Sequence, residues 1–110
     1  MKTLIVLAFI GALLAGCGGP TSQPVSYRIT GTTGSVDVTL TNASGGTEQH
    51  NIKPPYTLDF DGASGKVLYL AGQNKWDAGV VTCEILVDGK VIQSATSNTA
   101  FGVVTCSGTV

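Results

Sequence analysis

The sequence is poor in charge and in the side chains that most often carry out chemistry. Only 12% of its 110 residues are charged, and it contains one histidine, one tryptophan and three cysteines. From Cys17 onward five basic residues are opposed by seven acidic ones, and they form neither a basic run nor an acidic tail. A slightly acidic surface repels a phosphate backbone, so no nucleic-acid partner is expected. The length leaves room for one small domain.

A hydrophobic run long enough to span a membrane is also missing. The apolar segment from Leu4 to Leu14 is shorter than the roughly 20 helical residues that a bilayer core requires. It follows Lys2 and leads into small residues, which is the pattern of a cleaved secretory signal peptide. A membrane-spanning anchor that stays attached is the alternative. It is disfavoured because Gly-Cys-Gly-Gly-Pro ends the apolar run.

The residues around Cys17 indicate a lipid anchor. Leu14-Ala15-Gly16-Cys17 resembles the bacterial lipobox. The resemblance implies that residues 1–16 are removed and that the Cys17 thiol carries a diacylglyceryl group, often with a further acyl chain on the new N-terminus. Two or three acyl chains are enough for stable anchoring. We therefore expect an extracytoplasmic protein held on the bacterial cell membrane, with residues 17–24 as the lipidated cysteine and a flexible Gly/Pro tether.

From Val25 onward the apolar residues alternate with polar ones, as in Val36, Val38 and Leu40. The segment "KVLYLA" (66–71) is apolar on both faces, which predicts a strand covered on both sides. Pro54-Pro55 follows the polar "TEQHNI" (47–52), which predicts an edge strand. No window shows a helical apolar stripe. Residues 25–110 are therefore predicted to be all-β, a small antiparallel β-sandwich of about seven strands, with a closed barrel as the alternative.

Two segments have the chemistry of hairpin turns. "VDGK" (87–90) centres Asp-Gly between two strands, and "TNASGGT" (41–47) is rich in residues that tolerate positive φ. The second segment also contains an N-glycosylation motif, Asn42-Ala43-Ser44. In a bacterial lipoprotein this motif is interpreted as a turn.

The remaining cysteines, Cys83 and Cys106, are predicted to form a disulfide, because export places them in an oxidising compartment. Between them lie one hairpin and one further strand. Three alternating strands would leave the two cysteine strands pointing the same way, which favours a bridge between the two sheets. The alternative is a redox-active pair. Such a pair requires closely spaced cysteines in an electropositive setting, and the sequence shows neither.

Candidate catalytic and metal-binding residues are few. His50 is interpreted as a solvated edge-strand residue, because no G-x-S-x-G motif is present to supply a nucleophile. Asp59 and Asp61 in "DFDG" resemble the start of a calcium loop, but no third carboxylate and no closing Glu follow. We therefore predict no enzyme activity, no metal site and no cofactor.

Trp76, in "GQNKWDAG" (72–79), is the one residue in this sequence without a plain structural explanation. A loop tryptophan commonly plugs one end of a sandwich core, which is the favoured interpretation. The alternative is an exposed contact for a partner, a glycan or a lipid headgroup. Trp76 is therefore the candidate partner contact.

Essentially the whole exported domain, from Val25 to Gly108, is similar to the MmpS family, small mycobacterial membrane proteins that accompany RND-type exporters of lipids and siderophores. The similarity lies in "VSYRITGTTGSVDVTLTNASGGTEQ" (25–49), Pro55-Tyr56, "LAGQN" (70–74), "VTCEILVDGKVI" (81–92) and "VVTCSG" (103–108). It implies an immunoglobulin-like β-sandwich with the Cys83–Cys106 disulfide, outside the cytoplasmic membrane and without catalytic residues. Family members typically carry a transmembrane helix, whereas this chain carries a lipoprotein leader.

The expected function is that of a lipid-anchored binding or accessory module. Its partner would be an RND-type exporter or an apolar envelope molecule such as a lipid or siderophore. The alternative is a free-standing structural or interaction lipoprotein, either adhesin-like or an inhibitor of an envelope enzyme.

Overall fold

The computed structural model describes residues 21–110, which contain eight β-strands. In chain order these are β1 (Ser22–Gly31), β2 (Val36–Thr41), β3 (Thr47–Ile52), β4 (Tyr56–Ala63), β5 (Val67–Asn74), β6 (Val81–Val87), β7 (Lys90–Ser97) and β8 (Val103–Thr109). The predicted leader (1–16), the lipidation site Cys17 and the first part of the tether lie outside the described residues. Within residues 21–110, no helix is long and apolar enough to cross a membrane.

The strands form two four-stranded antiparallel sheets, ordered β4-β1-β6-β7 and β3-β2-β5-β8. We call these sheet 1 and sheet 2. This arrangement confirms the predicted all-β sandwich, with eight strands where about seven were expected. The sheets are separate hydrogen-bonded units, so the barrel alternative is wrong. β7, an edge strand of sheet 1, packs against β8, an edge strand of sheet 2.

The first strand begins earlier than predicted. Ser22, Gln23 and Pro24 pair with β4, whereas pairing with β6 starts only at Val25. The first residues of β1 pair with β4 alone and have no partner strand on their other side. Pro24, which has no N–H to donate, is therefore tolerated there. Residues 22–24, the last three of the predicted tether 17–24, are therefore part of strand β1.

The core lies between the sheets and consists of the inward residues of each alternating strand. Val36, Val38 and Leu40 of β2 are buried, while Asp37 and Thr39 between them face out. The other buried members of the core cluster are Val25, Tyr27, Ile29, Leu68, Leu70, Val81, Cys83, Ile85, Val87, Val104 and Cys106. The period of two in the sequence thus identifies the core face of each strand.

The prediction that "KVLYLA" is covered on both faces is wrong. Leu68 and Leu70 are buried, but Val67 is 66% exposed and Tyr69 is 38% exposed. The sandwich has only two layers, so the outer face of β5 meets solvent although β5 lies in the interior of its sheet.

Two groups connect the sheets at the centre of the core. Cys83 of β6 is disulfide-bonded to Cys106 of β8, which confirms the predicted bridge between sheets. Closing a loop of this length stabilises a fold by roughly 3 kcal/mol in the chain-entropy model. The Tyr27 hydroxyl of sheet 1 donates to the Thr41 carbonyl (2.8 Å) and accepts from the Tyr69 N–H (3.3 Å), both in sheet 2.

Both predicted hairpin turns are present. Asp88 and Gly89 have φ of 53° and 76° between β6 and β7, the left-handed pair that a tight hairpin requires. Between β2 and β3, Asn42 Oδ1 accepts from the N–H groups of Ser44 (3.1 Å) and Gly46 (2.9 Å). The Asn-Ala-Ser motif is therefore built into a turn, and "TEQHNI" forms the edge strand β3, as predicted.

Candidate functional site

The sandwich has two poles that differ in composition. The N-terminal pole contains Thr21, the loop 64–66 and Val110, joined by hydrogen bonds from Ser64 N–H to the Thr21 carbonyl and from Gly65 N–H to the Val110 carbonyl. The opposite pole, which we call the aromatic pole, contains the loops 32–35, 53–55, 75–80 and 98–102. The ten residues of β1 connect the poles and separate them by roughly 30 Å.

Asn74, buried at the end of β5, organises the aromatic pole. Its Oδ1 accepts from the Thr33 hydroxyl (2.7 Å) and the Trp76 N–H (2.9 Å), and its Nδ2 donates to the Ala78 carbonyl (3.0 Å). The Asn74 backbone N–H donates to the Gly102 carbonyl (2.9 Å). The Asn74 side chain, 1% exposed, thus fixes the loops 32–35 and 75–80, and its backbone N–H holds the loop 98–102.

Trp76 lies on the surface of this pole, so the favoured interpretation of it as a core plug is wrong. The side chain is 51% exposed and does not belong to the core cluster. Its indole ring lies on Gly34, where any Cβ atom would collide with the ring. The ring is therefore held in place on one face while the other remains open to solvent.

Phe101 is the second exposed aromatic residue of the pole. It is 53% exposed, and its N–H donates to the Trp76 carbonyl (2.9 Å). Its φ of 52° is uncommon for a non-glycine residue. Such a backbone conformation persists where the surrounding contacts fix it, and it is concentrated at functional sites.

A row of polar side chains crosses the outer face of sheet 2 beside this pole. Asp37 of β2 pairs with Asn51 of β3 on one side and Gln73 of β5 on the other. Asn51 Nδ2 donates to Asp37 Oδ1 (2.8 Å) and to the Ser35 hydroxyl (2.9 Å). Lys75 Nζ lies 3.3 Å from Asp37 Oδ2. The hydrogen bond from Asn51, together with Lys75, holds the pKa of Asp37 below its ordinary value.

This row borders an open depression of about 360 Å³ on the sheet surface. It is lined by Asp37, Val38, Thr39, Gln49, His50, Asn51 and Gln73. Except for Val38, the lining residues are polar, and they come from three adjacent strands. The depression is therefore suited to a ligand that makes hydrogen bonds.

The other predicted candidates occupy solvated positions. His50 lies on edge strand β3, with Nε2 2.8 Å from Glu48 Oε1. This contact is the main reason that the pKa of Glu48 is lowered. Asp59 is exposed on β4 and accepts from the Ser26 hydroxyl (2.5 Å). Among residues 21–110, no three His, Cys, Asp or Glu side chains are grouped as metal ligands.

Sequence reasoning selected Trp76 but missed the residues that present it. Asn74 lies between an apolar run and "KWDAG". It is a polar residue at a position that the strand alternation predicts to be buried. That irregularity is the signal that could have identified it. The polar row was not predicted because it depends on the pairing register of β2, β3 and β5.

No family model matches the chain, and no curated protein is significantly similar to it. The resemblance to the MmpS family consequently depends only on the sequence segments given above.

Proposed function

We propose that the chain is a lipid-anchored, extracytoplasmic binding module that accompanies an RND-type exporter of envelope lipids or siderophores. The observation that supports this function most directly is the placement of Trp76 and Phe101 at the pole opposite the N-terminus. The MmpS resemblance supplies the class of partner, and the lipobox resemblance supplies the anchor.

The distance between the poles determines what the aromatic pole can reach. β1 begins at Ser22, five positions after the proposed lipidated residue Cys17 in the sequence. A lipid at Cys17 would hold the N-terminal pole near the membrane surface and direct Trp76 away from it, by roughly 30 Å. This geometry favours a partner above the membrane, such as the extracytoplasmic part of an exporter, over a lipid headgroup.

The chemistry of the aromatic pole suits a protein partner. Tryptophan and phenylalanine are enriched in the cores of protein interfaces, where large rigid side chains bury much area at little cost in entropy. The backbone of both residues is already held, at the Trp76 N–H by Asn74 and at the Phe101 N–H by the Trp76 carbonyl, and the Trp76 ring lies on Gly34. Little ordering is therefore needed on binding.

The lipoprotein leader favours a second candidate, a free-standing interaction lipoprotein. Docking beside an exporter's membrane segments would use the transmembrane helix that members of the MmpS family typically carry. In this second candidate, the aromatic pole would contact a different envelope protein, such as a wall enzyme.

Site-specific photocrosslinking in intact cells distinguishes these candidates. A photoreactive residue replaces Trp76 in one variant and Val91, 50% exposed on sheet 1, in the matched control. We expect crosslinks to an RND-type exporter from position 76 and not from position 91. Capture of a wall enzyme alone at position 76 would support the second candidate, and equal capture from both positions would contradict a partner site at the aromatic pole.

A further inference from the structure

We propose that the outer face of sheet 2 binds an uncharged glycan strand of the cell wall. The glycan would lie in the depression lined by Asp37, Thr39, Gln49, Asn51 and Gln73, beside Tyr69. This glycan-binding face uses different residues from the aromatic pole. The choice of a wall glycan, as opposed to another sugar polymer, rests on the extracytoplasmic location in the proposed function.

The side chains of this face have the donors and acceptors that sugar hydroxyls require. An amide side chain both donates and accepts, and a carboxylate accepts at two oxygens. Among the described residues, the side-chain amides of Gln49 and Gln73 make no hydrogen bond to protein, and both residues are exposed. Asn51 uses its Nδ2 within the protein, which leaves its Oδ1 as an acceptor.

The face is organised before any ligand arrives. Asn51 is oriented by two hydrogen bonds, and Asp37 is held between Asn51 and Lys75. Asn51, Asp37 and Gln73 lie on paired strands and not on loops. Orienting groups that are fixed in this way reduce the entropy lost on binding.

Shape and charge favour an uncharged polymer. The depression of about 360 Å³ has the volume of a small-molecule site and is open to solvent, so a sugar bound in it can belong to a longer chain. Lys75 offsets the charge of Asp37 within the row. The face thus offers hydrogen bonds without a net charge to attract an ionic ligand.

Tyr69 supplies an apolar surface on the same face. Tyr69 lies two residues before Ala71 on the outer face of β5. Ala71 pairs with Thr39, which lines the depression. The Tyr69 side chain is 38% exposed. An exposed aromatic ring can pack against the C–H face of a sugar ring while neighbouring amides bind its hydroxyls.

The composition of this face distinguishes a glycan from the other ligands considered for an envelope protein. The centre of a protein interface is depleted in charge and rich in aromatic residues, whereas the row here is amide, carboxylate and amine, with the exposed Val103 of β8 beside Gln73 at its end. A membrane surface would lie at the N-terminal pole, at the other end of β1.

Sedimentation with purified wall sacculi, stripped of protein and lipid, tests the proposal on the full-length processed protein in detergent. We expect the wild-type protein to sediment with the sacculi. The variants Gln73→Ala and Tyr69→Ala should each bind about fivefold more weakly, the ordinary effect of losing one hydrogen bond or one packed ring. Gln23→Ala, on sheet 1, and Val91→Ala are the matched controls and should bind like the wild type.

Urea midpoints establish that each variant is folded, and Gln73 is an exposed residue whose loss leaves the core intact. Wild-type protein that stays in the supernatant would overturn the proposal. So would wild-type affinity in both Gln73→Ala and Tyr69→Ala, or binding to phosphatidylglycerol vesicles in place of sacculi.

The outcome is independent of the exporter hypothesis. Trp76→Ala should still sediment with sacculi, although it is expected to lose the partner contact of the aromatic pole. Crosslinking to an exporter without sacculus binding would reject the glycan-binding face alone. Sacculus binding without exporter crosslinking would reject the exporter partner alone.

Discussion

Single residues at the aromatic pole determine which side chains are available for binding. Asn74 accepts from Thr33 and Trp76, and it donates to Ala78, so it replaces the backbone pairing that the strands no longer provide at their ends. Gly34 lets the Trp76 ring lie directly on the backbone. Because these two residues fix the ring from the inside, Trp76 can be both half-exposed and ordered.

Replacing Asn74 by alanine should destabilise the fold by about 2–3 kcal/mol, because it removes a buried hydrogen bond with the Thr33 hydroxyl and two partly buried ones, with the Trp76 N–H and the Ala78 carbonyl. Asn51→Ala is the matched control, since Asn51 also makes two hydrogen bonds but is exposed. It should cost about 0.5 kcal/mol. Urea unfolding followed by tryptophan fluorescence measures both. Equal costs for the two variants would show that burial of Asn74 is unimportant.

At the scale of elements, sheet 2 has two chemically different faces. The inward residues of β2 are apolar, and the outward residues are Asp37, Thr39 and Thr41. Pairing with β3 and β5 places Asn51 and Gln73 beside Asp37, so three separate strands contribute to one polar row. The edge position of β3 keeps Glu48 and His50 close to solvent.

The carboxylates of sheet 2 should make stability depend on acid pH. The hydrogen bond from Asn51 lowers the pKa of Asp37 below its ordinary value of 3.8, and contact with His50 lowers the pKa of Glu48 below 4.5. A folded-state pKa below the unfolded one means that the unfolded chain binds more protons. The stabilisation is therefore fully present above about pH 5 and is lost as the pH falls through the lowered values.

Urea midpoints measured between about pH 6 and pH 2.5 test this dependence. The wild type should lose stability over this interval more steeply than the double variant Asp37→Asn, Glu48→Gln. Asp61→Asn, at an exposed carboxylate on sheet 1, is the control and should follow the wild-type curve. Parallel curves for the wild type and the double variant would contradict the assignment.

At the scale of the whole molecule, the sandwich separates its N-terminus from its aromatic pole. β1 runs the length of the domain, and the disulfide between β6 and β8 joins the two sheets that the pole depends on. The glycan-binding face extends from the aromatic pole along sheet 2. An anchor at the N-terminal pole would therefore present both surfaces away from the membrane.

Cys17→Ala should abolish the proposed anchoring, because the thiol is the atom that would receive the diacylglyceryl group. We expect an unprocessed precursor that incorporates no labelled palmitate, while the wild type is labelled and smaller. Cys83→Ala with Cys106→Ala is the control, because it removes the other two cysteines and should leave labelling unchanged. Palmitate incorporation into the Cys17→Ala protein at the wild-type level would reject the lipid anchor.

Much of the fold could be predicted because strand alternation is a local property. Val36, Val38 and Leu40 identify the core face of β2 without knowledge of any other strand, and Asp88-Gly89 identifies the turn after β6. Cys83 and Cys106 could be paired because few cysteines remain once Cys17 is assigned to the lipobox. The start of β1 and the outer face of β5 were predicted wrongly, because each depends on which strands lie alongside.

The candidate site was less accessible to prediction for the same reason. Trp76 was selected by its rarity and its loop position, but whether a ring enters the core or lies on it depends on the space left by Gly34, a residue distant in sequence. The row of Asn51, Asp37 and Gln73 exists only in the paired sheet.

The sequence by itself determined the strand periodicity, the turns and the availability of Cys83 and Cys106 for a bridge, since each depends on the chemistry of neighbouring residues or on counting. Only the tertiary structure decided which strands pair, that Trp76 is exposed, and that the aromatic pole lies at the far end of β1 from Ser22. These features depend on contacts between residues far apart in the chain, and many pairings are compatible with the same alternation.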